Sequence, residues 1–391
     1  NAIISRKQNY QSLLDSHVAI HGEMFNRMKL DLGGGDDHQK HTEELFELST
    51  MDDINEALIE KEFDAARYNI ISCTGELPPT LQGVWAGTMV PDWASDYTHN
   101  GNVPSAIACM LMGNTPELML AYTSYIESIV PWLEINAKHL FGSRGVVLPS
   151  RSTTNGYNNA LAGSFAGGFW VGGAAWAAHF FYDYYLYTGD ETFLREHALP
   201  FMEKCAVFFE DYLYEGADGK YVFSPTQSPE NTPGNTNSQG SFNATMDVAV
   251  AKELLSNLIS ASKEMKVYQD RIPTWEMMLT KMPGYMIDEN GMIKEWLTPR
   301  LENNDAHRHS SQLYPLYDGM SKEIAESSEL QAAFKNSLVY KLDKHWRGKR
   351  SGFMSFGLVQ LGQAAASLGE AEIAYECMGH LVNRFWLNNM A

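Results

Sequence analysis

Tyr182-Asp183-Tyr184-Tyr185-Leu186-Tyr187-Thr188-Gly189-Asp190-Glu191-Thr192-Phe193-Leu194 joins two helical patterns with almost nothing between them. The aromatic run Phe180-Phe181-Tyr182-Asp183-Tyr184-Tyr185 sits at helical spacing and reads mainly as core. Glycine after Thr188 suits a helix end, because without a Cβ it takes the left-handed conformation freely. Asp190 is then a ready N-cap, and Glu191 complements the dipole of the next first turn. Two long helices joined this tightly must lie antiparallel. The same grammar recurs outward along the chain. Helical periodicity runs through about 2–31, 51–73, 101–112, 115–137, 167–187, 190–213, 242–264, 267–282, 321–344, 353–367 and 370–386, with Gly369 dividing the last two.

Between these hairpins lie long polar loops at about 74–100, 140–166, 214–241 and 283–320, rich in Gly, Pro, Asn, Ser and Thr. Loops of that length in a helical domain are usually functional. Helical hairpins alternating with long loops predict an all-α (α/α)6 toroid, with the loops at one rim forming a site. About eleven helices are read where twelve would close the ring. The expectation is one catalytic domain over 1–391 that lacks its C-terminal end. Gly33-Gly34-Gly35-Asp36-Asp37 precedes no strand–helix unit, so it reads as a flexible break and not as a phosphate loop.

The whole 391-residue composition narrows the function. A hydrophobic share of 44% is ample for a core. No segment approaches ~18 uninterrupted apolar residues, so no membrane span is expected. A net charge of −19 argues against nucleic acid, whose phosphates require Lys/Arg clusters. The start of the chain lacks the three parts of a signal peptide. It reads as a mature form or a piece of a longer protein, secreted or periplasmic, with the cytoplasm left open and the oligomeric state unread. Cys73, Cys109, Cys205 and Cys377 lie far apart in apolar helical runs, which predicts buried free thiols.

Three polar clusters carry chemistry. In Ser224-Pro225-Thr226-Gln227-Ser228-Pro229-Glu230-Asn231, two prolines fix φ on either side of Ser228. The flanking Thr, Gln, Ser and Asn could hold the Glu230 carboxyl by hydrogen bonds. A stiff loop can aim a side chain, which suits a general acid. Asn-Gly-Asn at 100–102 is ordinary turn chemistry, yet i and i+2 in an extended stretch would share one side and could grip a water. An amide cannot take the proton, so a carboxylate must still act as base. His307-Arg308-His309 lacks a third and fourth ligand at zinc spacing, so no metal is expected. Arg308 reads better as a multi-donor clamp for hydroxyls, or else as an arginine buried against Glu295 or Asp305. No base lies near Ser228 or Ser310 in sequence, which disfavours a serine triad. No organic cofactor is implied.

With those loops in view, the sequence resembles glycoside hydrolase family 95, the inverting α-L-fucosidases with some α-L-galactosidases. The resemblance rests on Ala66-Arg67-Tyr68-Asn69-Ile70-Ile71-Ser72, Leu77-Pro78-Pro79-Thr80-Leu81-Gln82-Gly83-Val84-Trp85, Ser228-Pro229-Glu230-Asn231, Glu295-Trp296 and the run from His307 to Tyr314. It implies a terminal α-L-fucosyl or α-L-galactosyl residue, cut from an oligosaccharide with inversion, in a bacterial polysaccharide-degrading enzyme. It puts Glu230 on the general acid and Asn100 and Asn102 on the water-orienting asparagines. Arg308, His309, His307, His99, Glu295, Trp85 and Trp93 fall on sugar-binding positions. The catalytic aspartate of the family follows a helix like 370–386, so the base is expected beyond Ala391. Arg151-Ser152-Thr153-Thr154 and Gln312 depart from the family wording, which marks a divergent member or a sister family. Two rivals accompany this reading. One is another glycosidase or phosphorylase on the same toroid, with Arg151 and Arg308 as its phosphate candidates. The other is a non-catalytic glycan-binding or scaffold domain.

Overall fold

The computed structural model describes residues 9–83, 86–159, 165–347 and 354–387. Ten long helices dominate them: α1 Tyr10–Phe25, α2 Glu56–Cys73, α3 Pro116–Phe141, α4 Gly173–Thr188, α5 Leu199–Tyr212, α6 Thr245–Met265, α7 Ile272–Lys281, α8 Ser328–His345, α9 Ser355–Ser367 and α10 Ala371–Arg384. The junction after α4 forms as its chemistry dictates. Gly189 takes φ +69, and Asp190 accepts a hydrogen bond from the Phe193 N–H at 2.9 Å.

Side-chain pairs give the helix order. His197–Glu127 at 2.8 Å, Lys204–Glu134 at 2.6 Å and Arg144–Asp211 at 2.7 Å run in step, so α3 and α5 are parallel. Arg271 bridges Glu203 and Glu210 at 3.0 and 2.6 Å, and Lys281 meets Glu215 at 2.5 Å, which lays α7 alongside α5. These three form an outer layer laced by surface ion pairs. Beneath it, His179–Glu253 at 2.5 Å and Tyr185–Glu264 at 2.6 Å make α4 and α6 parallel as well. Both are mostly buried, from Ala174 to Tyr184 and from Thr245 to Met265. Outer helices ascending and inner helices descending are the two rings of an (α/α) toroid.

The chain's two ends meet. Val382 of α10 packs with Leu45, Ile54, Ala57 and Leu58, and the Ile54 N–H donates to the Tyr375 hydroxyl at 2.9 Å. Inside the ring Trp170, Phe181, Phe208, Leu255 and Trp275 are all fully or almost fully buried in one large core. Burying each large side chain contributes ~1.5–3 kcal/mol.

Among the described residues the only sheets are two-stranded: Tyr97–Thr98 (β1) with Arg151–Ser152 (β2), and Tyr214–Glu215 (β3) with Tyr221–Val222 (β4), both antiparallel. Each lies in a loop at the rim where α3 and α5 end and α4 and α6 begin. The sequence expectation for 101–112 is met by Asn102–Ile107 and Cys109–Met112, joined through Ala108, which keeps helical dihedrals (φ −54°, ψ −29°). That for 167–187 starts too early, because Gly167–Phe169 is a 3-10 turn. All four cysteines are free; Cys205 and Cys377 are buried, but Cys109 is exposed and Cys73 half-buried. No described helix is long and apolar enough to cross a membrane.

Candidate active site

Glu230 is presented by a loop nailed to the rim. Beyond β4, Tyr212 donates its hydroxyl proton to the Pro225 carbonyl at 2.7 Å. Thr226 and Ser241 then exchange backbone bonds at 2.9 and 2.8 Å. Thr226, Gln227, Ser228 and Asn231 are completely buried, whereas the Glu230 side chain keeps 28% of its surface exposed. None of those four residues bonds the Glu230 carboxyl, as the sequence suggested they could. They anchor the loop instead, Ser228 and Asn231 to Glu295 and Gln227 to Gln239.

The carboxyl's partners come from distant loops. Asn100 donates from Nδ2 to Glu230 Oε1 at 3.1 Å, across 130 residues of sequence. Arg308 Nη2 stands 3.9 Å from Oε2. The Glu230 N–H donates to His309 Nδ1 at 3.2 Å, and its carbonyl accepts from Gln239 Nε2 at 2.9 Å. Burial pushes the His309 pKa down to about 3, with Arg308 adding to the effect, so the ring is neutral. The other ring nitrogen, Nε2, faces the Arg308 Nε–H at 3.3 Å, so His309 links the Glu230 backbone to Arg308.

Asn100 and Asn102 are not placed by an extended strand. β1 ends at Thr98, residues 99–101 turn, and Asn102 opens a helix. Gly101 suits the close approach there: a Cβ would stand 3.1 Å from the Phe356 ring, which would have to give way slightly. Phe356 in turn lies 5.5 Å, centroid to centroid, from the His309 ring. Asn100, Glu230, Arg308, His309 and Phe356 therefore surround one place on the rim. Asn102 follows the same turn, half-buried, and no hydrogen bond engages its carboxamide among the described residues.

Three expected sugar contacts are corrected by burial. His99 is 1% exposed, bonds Ser152 Oγ at 2.7 Å, and is held neutral, its pKa pushed down to about 3 by desolvation. It supports the β1–β2 pairing. Glu295 has no exposed surface and lies under the Glu230 loop. His309, 7% exposed, holds the Glu230 backbone. His307 is half-buried; its Nδ1 accepts from the His309 N–H at 3.2 Å, and its carbonyl faces Lys341 and His345. Arg308, by contrast, is exposed, with Nε 3.3 Å from His309 Nε2 and Nη2 facing Glu230, so it is not buried against Glu295 or Asp305.

Trp93 is 56% exposed on a segment in which Trp93, Ala94 and Ser95 all have positive φ (50°, 57° and 49°). Arg151 pins that segment, with Nε 2.5 Å from Asp96 Oδ2 and Nη2 2.8 Å from the Trp93 carbonyl. Trp85 lies outside the described residues. Sequence reasoning missed Gln239, Phe356 and Lys341. Only Lys341 gave a signal, as a lysine between Leu338 and Leu342 on a core-facing stripe.

A second polar cluster occurs deeper in the ring, about two to three turns along α4 and α6 from the loops, beside a cavity of ≈ 860 Å³. His179 meets Glu253 through Nδ1 at 2.5 Å, and Asp183 and Asp318 through Nε2 at 3.0 and 3.2 Å. Burial works against protonating this imidazole, but the three carboxylates raise its pKa well above the ordinary value. The ring is an imidazolium that donates from both nitrogens.

Known proteins share the fold and the sequence pattern. A solved structure described as "Putative kojibiose phosphorylase from human microbiome" superposes with a TM-score of 0.66 at 12% identity, over 98% of this chain and 56% of that one. At that identity the likeness establishes the toroid alone. Alpha-L-fucosidase 2 of Arabidopsis thaliana is 28% identical over 388 residues, which are 96% of this chain and 45% of that protein. The "Probable alpha-fucosidase A" of Aspergillus niger is 29% identical over 331 residues, 80% of this chain and 40% of the other. The chain thus spans less than half the length of these curated relatives, and their plant and fungal origin lends no support to a bacterial source. Residues 9–391 match the description "Glycosyl hydrolase family 95 catalytic domain", and the chain belongs to that family of glycosidases.

Proposed function

We propose that this rim is the acid side of an inverting glycosidase site that releases a terminal α-L-fucosyl or α-L-galactosyl residue from an oligosaccharide. One observation carries the reading: Glu230, on a loop fixed by buried anchors, meets the Asn100 amide and the Arg308 guanidinium from two other loops. Glu230 would protonate the departing glycosidic oxygen. Asn100 bonds the acid directly, so Asn102, with its carboxamide unengaged, is the better placed of the pair to orient water. The base would be a carboxylate ~6.5–9.5 Å from the acid, leaving room for that water. Arg308 would donate to sugar hydroxyls, and Trp93 would offer a ring face for stacking against the sugar.

The names of the relatives support fucose as the sugar. A phosphorylase reading is disfavoured because Arg151, one of its two phosphate candidates, is already taken by Asp96. The test is hydrolysis of an α-L-fucoside by the full-length protein, with the product anomer followed by proton NMR. Initial release of β-L-fucose supports inversion. Retention or phosphate-dependent release would overturn it, and tight binding without turnover would favour a glycan-binding domain.

A further inference from the structure

We propose that Glu295 and Lys341 form a buried positioning unit, each gripping one loop on both flanks of its working residue. The inference rests on the reading of Glu230 as the acid. Glu295 Oε1 accepts from Ser228 Oγ at 2.8 Å and Oε2 from Asn231 Nδ2 at 2.5 Å, so the acid's own loop is clasped two residues before Glu230 and one after. Glu295 is itself fixed: its N–H donates to Asn303 Oδ1 at 2.8 Å and its carbonyl accepts from the Thr245 N–H at 3.0 Å, at the start of α6. On the other side Lys341 of α8, 1% exposed, donates to the carbonyls of His307 at 2.8 Å and His309 at 2.7 Å. Those carbonyls flank Arg308. Neither ionisable group reaches the surface, so neither can touch a substrate.

Stability gives a poor account of this pair. Buried charges typically do no better than well-packed apolar residues of similar volume. Donor arithmetic gives a better one. An ionised carboxylate is the side chain that offers two acceptor oxygens and no donor, which suits a hydroxyl and an amide approaching together. An ammonium offers three donors and no acceptor, which suits two carbonyls. The groups facing the pair agree. Burial pushes the Glu295 pKa up to about 7, while Lys341, Ser228 and Asn231 pull it down and Asp305 pushes it further up. Burial lowers the pKa of Lys341, against Glu295 and Asp305, which raise it. His307 and His309 are neutral, with pKa values of about 2 and 3, and Tyr317 feels the Glu295 charge. Each charge therefore lowers the cost of burying the other, and because Asn231 also donates to the Asn304 carbonyl at 3.1 Å, loss of the Glu295 clasp should loosen both loops.

The experiment compares Glu295→Gln, Lys341→Met and Ser228→Ala in the full-length protein by hydrogen exchange and kinetics. Glu295→Gln should speed amide exchange ~10-fold or more in both 226–232 and 305–311, with the outer helices unchanged. Ser228→Ala, the mildest change, should loosen only 226–232, and Lys341→Met mainly 305–311. In turnover, Glu295→Gln should lower kcat ~10–100-fold on a fucoside with a poor leaving group and less on an activated aryl fucoside, with KM altered less than ~3-fold. That asymmetry reports a misaligned proton donor. Unchanged loop exchange in Glu295→Gln, or equal losses on both substrates, would overturn the proposal and leave a packing role. If Glu295→Gln fails to fold, Ser228→Ala decides: wild-type exchange in 226–232 rejects the unit. If the unmodified protein cleaves no fucoside, the functional reading fails while the exchange data still judge the positioning.

Discussion

Replacing Glu230 by Gln tests the acid assignment, and the structure sets the expected sizes. The amide copies the carboxyl's shape, and its oxygen can still accept from Asn100 Nδ2 where Oε1 does now, at 3.1 Å. The loop should not move, because it is held by backbone bonds to His309 and Gln239 and by the Glu295 anchors. What disappears is a proton and a charge. The charge term is small: Arg308 lies 3.9 Å away with both side chains partly exposed, a setting worth ~0–1 kcal/mol, or at most about a fivefold change in KM. The proton term is large. General acid catalysis contributes ~10²–10⁴-fold, which at ~1.36 kcal/mol per decade is about 2.7–5.4 kcal/mol of barrier. The assay is steady-state release of fucose from an oligosaccharide and from a nitrophenyl fucoside. On the oligosaccharide kcat should fall by two to four decades; on the aryl substrate, whose leaving group needs little protonation, by far less. Equal losses on both would refute the acid role and make Glu230 a sugar ligand or a structural residue, and full activity would remove it from the mechanism.

Asn102→Ala should lower kcat on both substrate types alike, since water must be oriented whatever departs; selective loss on the poor leaving group would move Asn102 to the acid side. Arg151→Ala frees the Trp93 segment from both its side-chain and carbonyl bonds, and should raise KM several-fold with kcat nearly kept, as measured by initial rates. A pH series of denaturant melts tests His179. Its raised pKa means that its stabilisation is fully present below ~6.5 and is lost as pH rises through the folded-state value, so the gap between wild type and His179→Gln should shrink with increasing pH. A gap that is constant or widens would mean that the ring is neutral in the folded protein.

Much of the fold was legible because helix punctuation is local. Gly189 and Asp190 end and start helices through backbone chemistry that needs no tertiary partner, and the observed φ and cap bond follow from it. The errors fall where local pattern underdetermines the outcome. The helix expected from 167 begins only at Gly173, because Gly167–Phe169 forms a 3-10 turn that no periodicity marks. The site was legible in part. Asn100, Glu230 and Arg308, named from residue type and resemblance, do meet at one place on the rim, but the sequence could not distinguish an exposed rim residue from a buried brace. His99, Glu295 and His309 all read as sugar contacts, and all three are buried supports. A histidine or glutamate in a polar loop looks the same from sequence whether its loop lies on or under the rim.

That confusion has a physical origin in the toroid itself. A helix end leaves about four backbone groups without partners, and here several inner and outer helices bring their ends to one rim. Loops crossing that rim cannot be packed with apolar residues alone, because their own backbone groups need bonds. The fold therefore demands polar residues beneath the site as well as in it. Lys341 shows the consequence: it is wholly buried on a helix whose neighbours Leu338 and Leu342 are core, and it spends its donors on two loop carbonyls. The loop it holds carries Arg308, and the loop that Glu295 holds carries Glu230. The bonds that settle the rim's backbone thus also fix the separation between the acid and the cation beside it. If Glu230 is the acid, exposed residues such as Trp93 can vary without disturbing its separation from Arg308.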